Sequence, residues 1–319
     1  YYSRLFGQLV QNRHPMTGGV ALKLGRLYER RADLRQSMSW YESALNTARQ
    51  SGSPNLLLRA NLGLASVLLL RGQGDEAIKY IQVGEALAGP GEPRRSDEAQ
   101  TLLSFDDNVD GLLMRLQGLW YEQQGYLARA HTLFEKGHQI AIKSADGSLA
   151  LTTLLDLAQN AKRQGKVASG VRYARQAMLL ATKARDEISL SNASTVLARH
   201  FLYAARFKAA RRALHRGLKL ARNTGDRLRE ARIEREIGNT LLRQGELVAA
   251  LEAYQSSLAL ARILQATNEE SAALHNIGVV KTRQGDFHAA LRALQVAARL
   301  AQDSGDLHTQ AYTLVENSY

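Results

Sequence analysis

The sequence predicts an all-α fold, a solenoid of antiparallel helix hairpins with about seven repeats and a partial eighth. Three observations predict it: a turn signal that recurs at a fixed interval, small residues in phase with that turn, and a composition that favours helix over strand. Leu, Ala and Arg dominate the 319 residues, aromatics are 6% and there are four prolines. Ala, Leu and Arg are among the residues that cost least in a helix interior.

The turn signal reads Arg71-Gly72, Gln124-Gly125, Gln164-Gly165, Gln244-Gly245 and Gln284-Gly285, with Ala32 and Ala205 in the same slot of two weaker copies. Successive intervals are 40, 53, 40, 40, 40 and 40 residues. A fixed period of this length is the mark of a stacked repeat.

Seven residues before each turn stands a small residue: Gly25, Ala65, Gly118, Ala158, Ala198, Gly238 and Gly278. Five residues after it stands another: Ser37, Ala77, Ala130, Gly170, Ala210, Ala250 and Ala290. Helices approach closely only where the contacting side chains are small, so these two positions are expected to face each other across the hairpin. Nine residues after the turn a larger side chain recurs (Tyr41, Ile81, Phe134, Leu214, Tyr254 and Leu294), with Ala174 the exception. It is expected to fill the space between hairpins. Gly52, Gly225 and Gly305 lie twenty residues beyond their turns, where a helix must end in a left-handed residue. Asp226 and Asp306 follow directly and can cap the next helix.

This small–turn–small phase resembles the tetratricopeptide repeat family over nearly the whole chain. The copies Ile237-Gly238, Gly245, Ala250, Tyr254 and Ile277-Gly278, Gly285-Asp286-Phe287, Ala290, Leu294 carry the likeness best. The family's usual repeat is about 34 residues and often closes with proline. Here the period is forty and the proline is missing. That form resembles the repeats of kinesin light chains, spindle-orientation adaptors, bacterial peptide-sensing regulators and maltose-activator-type transcription factors. HEAT repeats share the period but are not expected to carry this phase. The resemblance implies a right-handed superhelix whose first helices line a concave face.

The long interval points to an insertion at 89–107, centred on Gly89-Pro90-Gly91-Glu92-Pro93, because Gly and Pro break helices. It divides the chain into repeats 1 and 2 (1–88) and repeats 3 to 7 with the partial eighth (108–319), in one continuous solenoid. It is read as a surface loop, with a partner-contacting loop or a hinge as the alternative. The chain opens at Tyr1 and breaks off soon after starting another first helix at Leu307, so it is expected to be part of a larger protein.

Chemistry is sparse. There is no cysteine, which excludes disulfides and thiolate metal sites and favours a reducing compartment, here read as the cytoplasm. The longest apolar run, near Leu62–Leu70, stops at Arg71, so no membrane span is expected. No phosphate loop, dinucleotide fingerprint, zinc-protease or nucleophile-elbow motif is present. His131 and His138 could share a helix face, but no third metal ligand is evident. Asp106, Asp107 and Asp110 are read as helix-start carboxylates. The expectation is a protein that is not an enzyme and carries no cofactor or metal.

Net charge is +12, which suits an acidic partner. Counting back from the turns along the first helices, the inner positions give Arg26, Glu29, Arg30 and Arg59, then Arg115, Glu122 and Gln123. They continue with Gln159, Lys162 and Arg163, then Asn192, Arg199 and Tyr203. The last two copies give Arg232, Arg235, Asn239 and Arg243, then His275, Thr282 and Arg283. Arg pairs with carboxylates through two parallel bonds, and Asn can both donate to and accept from a peptide backbone. The resemblance implies that such residues hold a ligand in the groove. The reading is a protein–protein or peptide-binding scaffold or sensor within a regulatory or signalling protein. Its partner would be a protein or acidic peptide, and nothing in the sequence excludes a homo-oligomer.

The alternatives are a small-molecule effector sensor and a nucleic-acid-binding solenoid. The second rests on a basic stripe between Arg199 and Arg243, where thirteen Lys and Arg stand against four Asp and Glu. Phe201, Tyr203 and Phe207 are its only aromatic candidates for base stacking, and Phe207 reads better as core.

Overall fold

The computed structural model describes residues 17–30, 33–89 and 108–304. Among them are fourteen helices and no strand. In chain order they are α1 (Thr17–Arg30), α2 (Leu34–Ser51), α3 (Pro54–Leu70), α4 (Gly74–Ala88), α5 (Val109–Gln123), α6 (Leu127–Lys143) and α7 (Gly147–Arg163). They continue as α8 (Val167–Lys183), α9 (Glu187–Tyr203), α10 (Phe207–Asn223), α11 (Arg227–Gln244), α12 (Leu247–Ile263), α13 (Thr267–Arg283) and α14 (Phe287–Ser304). The odd-numbered helices precede the recurring turns and the even-numbered helices follow them, so every predicted hairpin is present. The contacts group into two compact units, Tyr1–Lys166 and Val167–Tyr319. Most of the 89–107 insertion and the partial eighth repeat lie outside the described residues.

The turns form for the reason the sequence suggests. Gly72, Gly125, Gly165, Gly245 and Gly285 all take positive φ, and Ala205 takes the same conformation at φ 55°. The junctions between repeats are more regular than the glycines alone indicate. Gly52 and Gly225 are left-handed as expected, and Ala145, Arg185 and Gln265 adopt the same geometry at the equivalent position. A left-handed residue without glycine costs roughly 1–2 kcal/mol, so packing on both sides must hold it there. Asp226 caps α11 by accepting from the Arg229 amide, and Asp33, Ser53, Asn108, Asp146 and Asp186 cap their helices likewise. Asp110 lies in the first turn of α5, as a helix-start carboxylate should; Asp106 and Asp107 lie outside the described residues.

The small residues do face across the hairpin. The Ser37 hydroxyl donates to the Gly25 carbonyl at 2.8 Å, and a Cβ at Gly278 would meet the Ala290 carbonyl at 3.4 Å. A second crossing lies nearer the open end of the hairpin. There Ser191 donates to the Gly217 carbonyl at 2.8 Å and Ser271 to the Ala297 carbonyl at 2.7 Å, while Gly111 and Gly137 meet backbone to backbone.

The large residues join the cores shared with the next hairpin, as Ile81 does with Leu113 and Leu116. Tyr41, Phe134, Tyr254 and Leu294 also cover the glycine of their own hairpin. A Cβ at Gly118 would lie 2.6 Å from the Phe134 ring, and one at Gly238 would lie 2.5 Å from the Tyr254 ring. Tyr41 does both, packing on Gly25 in its own hairpin and on Gly63 in the next. Where Ala174 interrupts the pattern, the buried His200 ring of α9 fills the space beside Gly170.

Candidate functional site

The odd-numbered helices carry the predicted inner positions, and the two units are taken in turn. In unit 1, side chains from α1, α3, α5 and α7 meet. Arg26 donates from Nη2 to the Ser148 hydroxyl at 2.9 Å, joining the first helix to the seventh. Glu29 accepts from the Tyr41 hydroxyl at 2.9 Å and from the Ser66 hydroxyl at 2.6 Å. Arg115 is 6% exposed and donates from Nε to Asp156 at 2.6 Å. Burial, with the neighbouring Glu29 charge, raises the Asp156 carboxyl despite the Arg115 guanidinium.

At the other end of the α5 and α7 faces, Asn160 donates to the Glu122 carboxylate at 3.1 Å and to the Leu127 carbonyl at 3.2 Å. Arg163 reaches Glu122 only at 3.9 Å and stays exposed. Burial raises Glu122, although Arg163 and Asn160 both favour its charged form. Gln159 and Lys162 are half-buried between these clusters in sequence.

In unit 2 the inner faces of α9, α11 and α13 are tied by ion pairs one repeat apart. Arg199 holds Glu236, with Nη2 at 2.7 Å and Nε at 2.9 Å from one oxygen. Arg232 and Arg235 both donate to Glu269, Arg235 at 3.3 Å. Burial alone would raise Glu236. The Arg199 and Arg235 charges and the bond from Arg199 outweigh it and hold the carboxyl at about 2. Glu269 is likewise lowered, because Arg232 and Arg235 overcome its burial.

Asn239 sits beside this ladder in a fixed orientation. Its amide oxygen accepts from the Tyr254 hydroxyl at 2.8 Å and from Asn276 at 3.4 Å. Tyr203, Arg243 and Arg283 occupy one register on α9, α11 and α13, and all three are exposed. The Arg283 guanidinium approaches the Leu242 carbonyl, next to Arg243, at 3.5 Å. Asn192 and His275 are half-buried on the same helices.

The predicted residues therefore divide. Arg115, Arg199, Arg232 and Arg235 are engaged by the protein's own carboxylates. Arg163, Tyr203, Arg243 and Arg283 remain open to solvent, with Asn239 held beside them. Sequence reasoning missed Asp156, Glu236 and Glu269 as partners. Their signal was present: each acid lies 37 to 41 residues after its arginine, about one period on.

The histidines singled out earlier are otherwise engaged. His131 pairs with Glu135 at 3.3 Å, and His138 contacts the Ala150 carbonyl and the Thr153 hydroxyl at 3.1 Å. Among the described residues no cluster of three or more His, Asp or Glu could hold a metal ion, and no helix is long and apolar enough to cross a membrane.

Two family models, each described as tetratricopeptide repeat, match residues 229–303 and 21–54. The chain carries tetratricopeptide repeats. Solved structures of similar fold include a Rap protein complexed with competence and sporulation factor, 13% identical, with a TM-score of 0.66 over 95% of this chain and 87% of that one. A Rap conjugation gene regulator of plasmid pLS20 in complex with the Phr* peptide is 12% identical, with a TM-score of 0.56 over 79% and 77%. A signal transduction ATPase from Pyrococcus horikoshii with a tetratricopeptide repeat sensor is 12% identical, with a TM-score of 0.56 over 98% of this chain and 46% of that one. No curated protein matches the sequence. At these identities the likeness establishes the helical-repeat solenoid fold. Within unit 2 the forty-residue spacing places equivalent side chains on successive first helices.

Proposed function

We propose that this chain is a non-catalytic binding module of a cytoplasmic regulatory or signalling protein, and that it takes an extended, carboxylate-bearing peptide or protein segment on its first-helix faces. The observation that carries this reading is the Asn239 amide. Its oxygen accepts from Tyr254 and Asn276 and its nitrogen donates to Glu236 at 3.5 Å, which fixes its orientation next to the exposed Arg243. The second N–H of that oriented amide, beside exposed guanidinium groups, suits one backbone carbonyl and one carboxylate of an extended chain. Tyr203 and Arg283 extend this row by one repeat in each direction, with Asn192 and His275 on the same helices. In unit 1, Gln159, Lys162 and Arg163 offer similar chemistry.

The paired arginines Arg115, Arg199, Arg232 and Arg235 are given a different part: they hold neighbouring first helices in register, so the open residues are presented at fixed spacing. The named factor and peptide in the two Rap complexes are consistent with this use of the fold.

The test is capture from nuclease-treated extract of the source cells by the chain and by its Asn239→Ala/Arg243→Glu/Arg283→Glu variant. A discrete protein held by the first and lost by the second, with helicity unchanged, is the expected result. Equal capture by both would remove these residues from the site.

A further inference from the structure

We infer that the solvent face of α10 is a docking surface for the phosphate backbone of a nucleic acid, separate from the first-helix faces. The helix contains no Asp or Glu. On α10 the exposed Lys208, Arg212, Arg216 and Lys219 follow one line along the helix, with rises of about 6, 6 and 4.5 Å between them. The cations flanking that line are occupied: Arg222 by Glu230 at 2.7 Å and Glu234 at 3.0 Å, and Arg211 by Glu246 at 3.9 Å. Among the described residues no carboxylate pairs with the four in the line.

The rest of the α10 face decides between kinds of polyanion. Its larger apolar residues Leu214 and Leu218 are buried, and none of the exposed large hydrophobic residues lies on this helix. Protein interfaces set their Arg contacts beside large aromatic and apolar anchors, and α10 exposes no such anchor. Phosphates need no such anchor: release of counterions by the cations supplies the affinity. The helix's one Phe, Tyr or Trp, Phe207, is half-buried, so no large exposed ring is offered for base stacking and the contact is independent of sequence. The helix two places on differs. On α12 the exposed residues are mixed: Val248, Glu252, Arg262 and Ile263.

The test is fluorescence anisotropy of a labelled oligothymidylate titrated with the protein as NaCl is raised. Four phosphate contacts predict that log affinity falls against log salt with a slope of about −3. The variant Arg212→Glu/Arg216→Glu/Lys219→Glu is expected to bind at least ~10-fold more weakly, with the slope reduced by about 2. The neutral variant Arg212→Gln/Arg216→Gln/Lys219→Gln should lose most of the same affinity, which separates lost contacts from lost folding. Reversing three exposed cations elsewhere, Lys79→Glu/Lys136→Glu/Arg292→Glu, changes net charge equally and is expected to cost less than about threefold, as the contacts are local. No binding by the parent chain, or equal losses from both reversals, overturns the inference. So does a polyglutamate peptide that binds the same residues more tightly than the oligonucleotide. None of these outcomes bears on the groove, because none of the substituted residues lies in it.

Discussion

At the residue scale, Glu236 and Asp156 show how one motif, an acid one repeat after an arginine, gives opposite electrostatic results. Glu236 lies near two arginines, and they hold it at about 2, below its ordinary 4.5. Asp156 is bonded by one arginine and has Glu29 for a neighbour, so burial wins and its carboxyl is raised. The signs follow by linkage. Glu236 stabilises the fold above its ordinary value, and that contribution is lost as pH falls from about 4.5 toward 2. Asp156 stabilises at low pH and loses its contribution as pH rises through its raised value. Glu236→Gln should therefore flatten the acid limb of unfolding free energy in that window, measured by urea titration at several pH values. A variant whose acid limb stays as steep as the parent's would place the sensitivity elsewhere.

Reversing the ladder arginines is the sharper test. Arg232→Glu/Arg235→Glu leaves Glu269 buried and facing like charge, and should cost about 3–5 kcal/mol. A loss under ~1 kcal/mol, the range of an exposed pair, would show that the ladder is solvent-screened.

At the element scale, the hairpin was legible in the sequence and its filling was not. The small positions at Gly25 and Ser37 could be read because they recur in phase, and the structure joins them by a hydrogen bond. The second crossing at Ser191 and Gly217 recurs with small residues on the second helices, but Leu58 and Leu151 interrupt it on the first; it lies far from the turn, where a reading anchored on the turn does not look. The cover that large residues give the glycine of their own hairpin was not read, because a period fixes which residues are equivalent, not which neighbour each one touches. Tyr254 makes the point: it lies over Gly238 within its own hairpin and also orients Asn239. Gly238→Val should overpack that contact and cost roughly 1–3 kcal/mol. Tyr254→Phe should cost about 1 kcal/mol from the lost hydrogen bond, and should also weaken partner binding by freeing the Asn239 amide. Both are read by denaturant unfolding. The turns offer a gain: Ala205 at φ 55° sits where the other copies carry glycine, so Ala205→Gly should stabilise by about 1 kcal/mol. A fall in melting temperature would contradict that.

At the scale of the whole molecule, repeat period and fold class could be read from sequence alone, because each depends on spacing along one chain. The pairing of the first-helix side chains could not. Whether Arg199 is open or held depends on an acid 37 residues away meeting it across a helix interface. A count of inner cations therefore overstates the charge offered to a ligand. What remains open is a narrower row, Tyr203, Arg243 and Arg283, with Asn239 held beside it. The exposed stripe on α10 is a second cationic surface with different surroundings, so the net charge of +12 is divided between faces rather than spread evenly.

The central claim is that a protein segment docks on that row. Its most direct test is photo-cross-linking from a benzoylphenylalanine placed at position 243, compared with one at position 252 on the exposed face of α12, in nuclease-treated extract of the source cells. A discrete adduct from position 243, absent from position 252 and suppressed by the Asn239→Ala substitution, is the predicted result. Equal adducts from both positions, or none from position 243 while the chain still retains its partner, would contradict the account.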